Sequence, residues 1–310
     1  MHRQSTFSWM FAAIAVLSLG SAQARAWDDE GHMIVADIAW RGLDAAHRRR
    51  VIALLSLNPE YPHWIEHVRS GQRNEIAFMR AATWADSIKS STAYVSDGTR
   101  PNGPAAAQNI GYADHLQHRY WHYIDIPISS DDTPGPAPDV PNAETQIRAF
   151  RAVLRSDAAD DLKSYDLVWL EHLVGDVHQP LHAVSRFSQS LPQGDAGGNL
   201  VMLCVQPCHE QLHAFWDTIL GTDERPLEAR RLAARVASAT RDQARILDEH
   251  VWIEESVSVA REIVYAAPVG PEAGPYVLDE GYRERARAES QRRVALAGAR
   301  LAGLIQVDLR

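Results

Sequence analysis

Cysteine is nearly absent: the 310 residues carry two, Cys204 and Cys208. That count excludes a structural zinc site of the four-cysteine kind and the disulfide-dense scaffolds of small domains. Haem attachment is excluded too, because CVQPCH puts three residues between its cysteines where the c-type sequence has two. Basic charge is also short. Against 40 aspartates and glutamates stand 31 lysines and arginines, a net charge of −9, which argues against a protein that coats nucleic acid along an extended basic groove. After residue 20 no stretch approaches the ~18 consecutive apolar residues of a membrane span. Strand-like alternation is scarce, and there is no internal repeat or low-complexity tract.

What is present begins with a leader. Arg3, an apolar run from Phe7 to Gly20, and Ala24-Arg25-Ala26 as a small-x-small cleavage signal make residues 1–26 a secretory signal peptide. Cleavage there makes Trp27 the mature N-terminus, leaves 27–310 as one domain, and sends the protein to the periplasm or the medium. Export favours a disulfide between Cys204 and Cys208, a small staple in a loop. Loss of Arg3 and Arg25 makes the mature chain still more acidic, so any anionic substrate has to be attracted locally. Clustered metal ions would reverse the sign of the field at one spot.

The densest chemistry lies in Trp169 to Phe187, WLEHLVGDVHQPLHAVSRF. His172 and Asp176 are four apart, so on a helix they project together. His178 follows, Pro180 ends the regular ladder, and His182 lies just beyond it. The spacing recurs in LHAFWD with His213 and Asp217. An isolated pair of this kind is ordinarily a surface bond worth ~0.2–0.5 kcal/mol. Here the pair sits among Leu170, Leu173, Val174, Val177 and Leu181, which implies burial, and buried ionisable groups need partners. Imidazoles and carboxylates without a thiolate suit zinc in a hydrolytic site.

Around this block the chain reads as helices and loops. WDDEGHMIVADIAWRGL opens the mature chain as a helix bearing His32. The free amine of Trp27, of ordinary pKa ~8, can chelate a metal together with its own carbonyl. Asp44 caps a helix to Leu55, and another is expected from about Asn74 to Lys89 with Asp86 inward. Asp86 and Lys89 taken alone read as a surface ion pair. Ser91 to Ile110 is loop, with His115 and His118 expected on solvent. HRYWHYIDIP is expected as a short extended piece, His122, Ile124 and Ile126 on one side and Tyr123 and Asp125 on the other. Glu144 to Leu154, two or three helices between Pro226 and Tyr265, and Gly281 to Ile305 complete an all-α domain. NLVMLCV supplies half of a small β-hairpin closed by the cysteines.

Trp27 with WDDEGH, then ATWADSIK, WHYIDIP, HLVGDVHQPLH, GDAGGN, LHAFWD and LAGARLAGLI resemble, in that order, the zinc-dependent S1/P1 type of single-strand nuclease and 3′-nucleotidase. The resemblance implies three zinc ions. Asp86, His122, His172 and Asp176 would hold one; the Trp27 amine and carbonyl, His32 and a shared Asp176 a second; His182, His213 and Asp217 a third. It implies single-stranded DNA, RNA and 3′-nucleotides as substrates and 5′-phosphate nucleotides as products, from a monomer with no protein partner. Lys89 would carry charge to the transition state with Asp125 orienting it, and Tyr123 would stack on a base. Thr218 stands where some members place a base-contacting Asn, and Gln211 where several have Asn. His178 and His209 acquire no metal role. The related bacterial zinc-dependent phospholipases C, acting on phosphatidylcholine-type lipids, are the alternative.

Overall fold

The computed structural model describes residues 27–204 and 208–309; the signal peptide expected at residues 1–26 lies outside them. The helices are α1 Asp29–Gly42, α2 Ala45–Leu55, α3 Tyr61–Ile65, α4 Arg73–Ala81, α5 Trp84–Ser87, α6 Ala143–Arg155, α7 Asp160–Asp176, α8 Leu212–Thr218, α9 Pro226–Ala233, α10 Arg241–Ala244, α11 Glu249–Val259 and α12 Glu280–Asp308. Strands β1 Ile126–Ser129, β2 Val184–Phe187, β3 Met202–Leu203 and β4 Glu210–Gln211 are short. The fold is all-α with a minor β component, as the sequence implies.

Helix α7 is the axis. Every residue from Lys163 to Asp176 is buried, because apolar side chains occupy all its faces rather than one stripe. Helices α1, α2, α4, α5, α6 and α12 surround it. Helix α1 is nearly as deep, buried continuously from Glu30 to Asp37 and packed against α4, α7, α9 and α12. Side-chain caps fix where these helices start: Asp28 for α1, Asp44 for α2, Asn142 in a reciprocal box with Thr145 for α6, and Asp279 for α12.

The helix expected from Asn74 to Lys89 is broken. It ends at Ala81 and restarts at Trp84, and the Thr83 hydroxyl turns back onto the Arg80 carbonyl at 3.0 Å. The break has a use: the Ala82 carbonyl accepts a bond from the His172 ring at 2.7 Å. Regular alternation does hold at His122–Asp125, with His122 and Ile124 buried and Tyr123 and Asp125 half-buried. The strand itself comes later, since Arg119–His122 is a 3-10 turn and β1 starts at Ile126. Strand β1 pairs in parallel with β2, and Ile124 N–H donates to the His182 carbonyl at 2.8 Å. Two histidine-bearing segments sixty residues apart are thereby laid side by side. Strands β3 and β4 form the expected hairpin, closed by the Cys204–Cys208 disulfide.

His115 is exposed as expected, whereas His118 is fully buried. Its ring stacks on Trp121 at 3.6 Å and bridges Asp114 and Asp97. Those two carboxylates satisfy both ring nitrogens, which is what allows the imidazole to leave water.

Candidate metal centre

Three groups of buried side chains bring ligand atoms within 4.8 Å of one another: His32, His172 and Asp176; Asp86, His122 and His172; His182, His213 and Asp217. The first two share His172. The last residue of α7, Asp176, divides its carboxylate between them. Oδ1 faces His32 Nε2 at 3.3 Å, while Oδ2 faces His122 Nδ1 at 3.0 Å and His172 Nε2 at 3.4 Å. Asp86 Oδ1 lies 3.6 Å from His172 Nε2 and 3.8 Å from His122 Nδ1. This is the geometry of a carboxylate between two cation positions.

Helix α1 can bring His32 so near because Gly175 lies opposite; a Cβ there would meet His32 Nδ1 at 2.8 Å. The rings of His32 and His172 then stack with centroids 3.9 Å apart. Gly197 plays a similar part in the third group. Its φ of +61° and a hypothetical Cβ 2.6 Å from the Leu181 carbonyl both demand glycine, and its own carbonyl accepts from His213 Nδ1 at 2.6 Å.

Backbone carbonyls set the tautomers. Nδ1 of His172, His182 and His213 donates to the carbonyls of Ala82, His122 and Gly197 at 2.7, 2.8 and 2.6 Å, so each Nε2 is left with a lone pair. His182 Nε2 and His213 Nε2 face each other across 3.1 Å. Two lone pairs at that separation repel unless a cation lies between them. Burial strands further side-chain atoms without a hydrogen-bond partner: both ring nitrogens of His32, His122 Nε2, Asp86 Oδ2 and Asp176 Oδ1. Unpaired buried groups of this kind cost about 1–3 kcal/mol each, a cost that metal coordination would remove at the atoms facing the cluster. The residues therefore fit metal ions, and a nitrogen and oxygen donor set without thiolate suits zinc.

The electrostatics agree. Burial, with help from Lys89 and neighbouring imidazoles, pushes His122, His172 and His182 well below the usual histidine range, so they are neutral donors. Burial pushes Asp176 up to about 7, with the nearby His32 ring opposing. Asp217 is raised well above its ordinary value, by burial and by the charges of Asp86, Asp176 and Asp28, against the Gln179 bond that lowers it. Asp86 goes the other way: burial would raise it, but the Lys89 ammonium and three imidazoles hold it well below the carboxylate range. Keeping Asp176 and Asp217 ionised at neutral pH would therefore call for a neighbouring cation.

The remaining expected site residues divide. Lys89 is buried, and its Nζ pairs with Asp86 Oδ1 at 2.5 Å, so the pair is no surface bridge. Asp125 has different electrostatic neighbours. Burial, Asp195 and Asp139 raise it to about 6, with Arg100 opposing. Tyr123 is half-buried and its hydroxyl donates to the Thr99 carbonyl. The Thr218 hydroxyl turns back onto the Ala214 carbonyl at 2.8 Å within α8. Trp27 is fully buried, and the next residue's N–H donates to the Asp217 carbonyl at 3.0 Å, which lays this segment along α8. His178 bonds from Nδ1 to the Val174 carbonyl and receives Arg300 at Nε2. Sequence reasoning missed Gln179, whose amide reaches Asp217; a glutamine between the expected ligands Asp176 and His182, directly before a proline, was the available signal.

A helical scaffold that buries histidines and carboxylates around shared cation positions is that of a metal-dependent hydrolase. The S1/P1 nuclease family model matches residues 27–309, and the chain belongs to that family. It is similar to "Endonuclease 2" of Arabidopsis thaliana, with 27% identity over 203 residues, 65% of this chain and 58% of that protein. The chain thus spans less than two thirds of that relative's length. The match is to the nuclease family, and nothing in the site favours the phospholipase alternative.

Proposed function

We propose that the protein is a zinc-dependent phosphodiesterase that cleaves single-stranded DNA and RNA, and 3′-nucleotides, to 5′-phosphate products. The observation that carries this reading is the split carboxylate of Asp176, with the His182–His213–Asp217 group beside it. Trp27 through its backbone, His32 and Asp176 would hold one zinc; Asp86, His122, His172 and Asp176 a second; His182, His213 and Asp217 the third. Bound zinc supplies Lewis acidity and hydroxide at neutral pH.

The chain's own residues do the rest. Carbonyl-anchored imidazoles hold their donor atoms without reorganisation. Lys89, fixed by Asp86, offers fixed positive charge to a phosphate bound beside it. Tyr123 presents an aromatic face to a base, an interaction available only where the base is not held in a duplex. With the chain acidic overall, substrate is drawn to the metal centre itself. We further propose export by cleavage after Ala26 to the periplasm or medium, and a monomeric enzyme. No helix among the described residues is long and apolar enough to cross a membrane.

The test is a parallel assay of zinc-loaded protein beginning at Trp27 on single-stranded DNA, RNA, 3′-nucleotides and phosphatidylcholine vesicles. Hydrolysis of the first three with 5′-phosphate products is expected. Turnover of vesicles with nucleic acids left intact would overturn it. One extra residue before Trp27 should lower zinc content and activity together, because the amine would become an amide.

A further inference from the structure

The turn from Val177 to Gln179 joins the end of α7, with Asp176, to the 3-10 turn Pro180–His182. Gln179 is fully buried there. Its Oε1 accepts the Leu181 N–H at 2.6 Å, which fixes the amide's orientation, and its Nε2 donates to Asp217 Oδ1 at 2.6 Å. The other oxygen, Oδ2, is left toward His213 Nε2 at 3.4 Å.

The turn is held from behind. Ser256 Oγ donates to the Val177 carbonyl at 2.6 Å and accepts from Arg293, whose Nε donates to the His178 carbonyl at 3.0 Å. Arg300 donates to His178 Nε2 at 2.9 Å, and Glu255 bridges both arginines. Arg293 and Arg300 are fully buried. Gln179 is therefore a rigid arm and not a side chain free to follow its partner.

We propose that Gln179 is a positioning residue for the third cation site: it occupies Asp217 Oδ1 and so presents Oδ2 as the single ligand oxygen beside His182 and His213. The inference rests on the reading that His182, His213 and Asp217 hold a metal ion. Partners that orient a ligand in this way change metal affinity by about 10–100-fold when lost.

Gln179→Glu separates the two bonds. Glutamate at 179 still accepts the Leu181 N–H, so the turn keeps its bond, but it offers Asp217 an oxygen in place of a donor. Stripped protein is titrated with zinc against a competing chelator. One of the zinc-binding steps should weaken by about 10–100-fold in Q179E with the others unchanged, and the stripped variant should keep the helical content of wild type by circular dichroism. Gln179→Ala should weaken the same step, and it serves alone if Q179E does not fold. His213→Ala is the control on the underlying reading. If H213A retains every zinc of wild type, the site reading fails whatever Gln179 does. If H213A loses one zinc while Q179E and Q179A bind zinc as wild type, or weaken all steps together with the stripped fold, the positioning role is overturned.

Discussion

Two buried clusters of histidine and carboxylate both adjoin Trp169, whose ring centroid lies 6.4 Å from that of His118 and 5.5 Å from that of His122. They use the same residue types at the same spacing: Asp114 and His118 are four apart, and so are His172 and Asp176. What differs is closure. His118 Nε2 meets Asp114 at 2.8 Å, Nδ1 meets Asp97 and Tyr120 at 3.1 Å, and the Asp97 carboxylate also takes the His118 N–H and the Tyr120 hydroxyl. The protein supplies every partner. In the metal centre the second ring nitrogens point at other lone pairs or at nothing. A buried histidine pinned by two carboxylates has no donor atom left for a cation; one pinned by a single carbonyl keeps a lone pair that a cation could take.

Substitution can break this contrast, most severely at the bridge. Asp176→Ala should cut bound zinc from three ions to one by elemental analysis and reduce hydrolysis of single-stranded DNA to the level of chelator-treated protein. Retention of three ions would show that the two positions do not depend on Asp176. Lys89→Ala should lower kcat by about 10²–10³-fold with zinc content unchanged; unchanged kcat would leave Lys89 as the partner of Asp86 and nothing more.

The other side of the comparison predicts the opposite pattern. His118→Gln should leave zinc stoichiometry and kcat as in wild type while costing about 1–3 kcal/mol of stability, measured by denaturant unfolding. Loss of zinc in that variant would collapse the distinction. Its pH dependence has a definite sign. Burial would lower His118, but its bonds to Asp114 and Asp97 win and raise it. The protonated form thus contributes stability that is fully present below the unfolded histidine value of ~6.5 and fades as pH rises through the raised folded value. The gap between wild type and H118Q should narrow with pH over that window, and a gap that widens would refute the charged bridge. Smallest is Tyr123→Phe, which loses the bond to Thr99 and should cost ~0.5–1.5 kcal/mol with KM for single strands little changed. Tyr123→Ala should raise KM by the ~1–3 kcal/mol of one base stack; equal KM for both variants would remove Tyr123 from the substrate path.

Much was legible in the sequence. Helical spacing placed His172 with Asp176 and His213 with Asp217, and the cap at Asp44 marked a real helix start. Other features were not legible. The expected helix through Lys89 breaks at Ala82, since the carbonyl it releases serves His172, a residue ninety positions away. His118 looked solvent-facing because its partners Asp97 and Trp121 are brought to it by folding, and Gln179 drew no notice because its meaning depends on Asp217.

Residue order alone determined the helical class, the donor chemistry and the local i,i+4 pairs, since these depend on periodicity and side-chain type over a few residues. Tertiary structure decided which histidines gather with one another and which is closed off by carboxylates, the division of Asp176 between two groups, and the approach of His32 across Gly175. Those outcomes are set by distances between segments far apart in the chain, and by which buried atoms are left without a partner once the helices have packed.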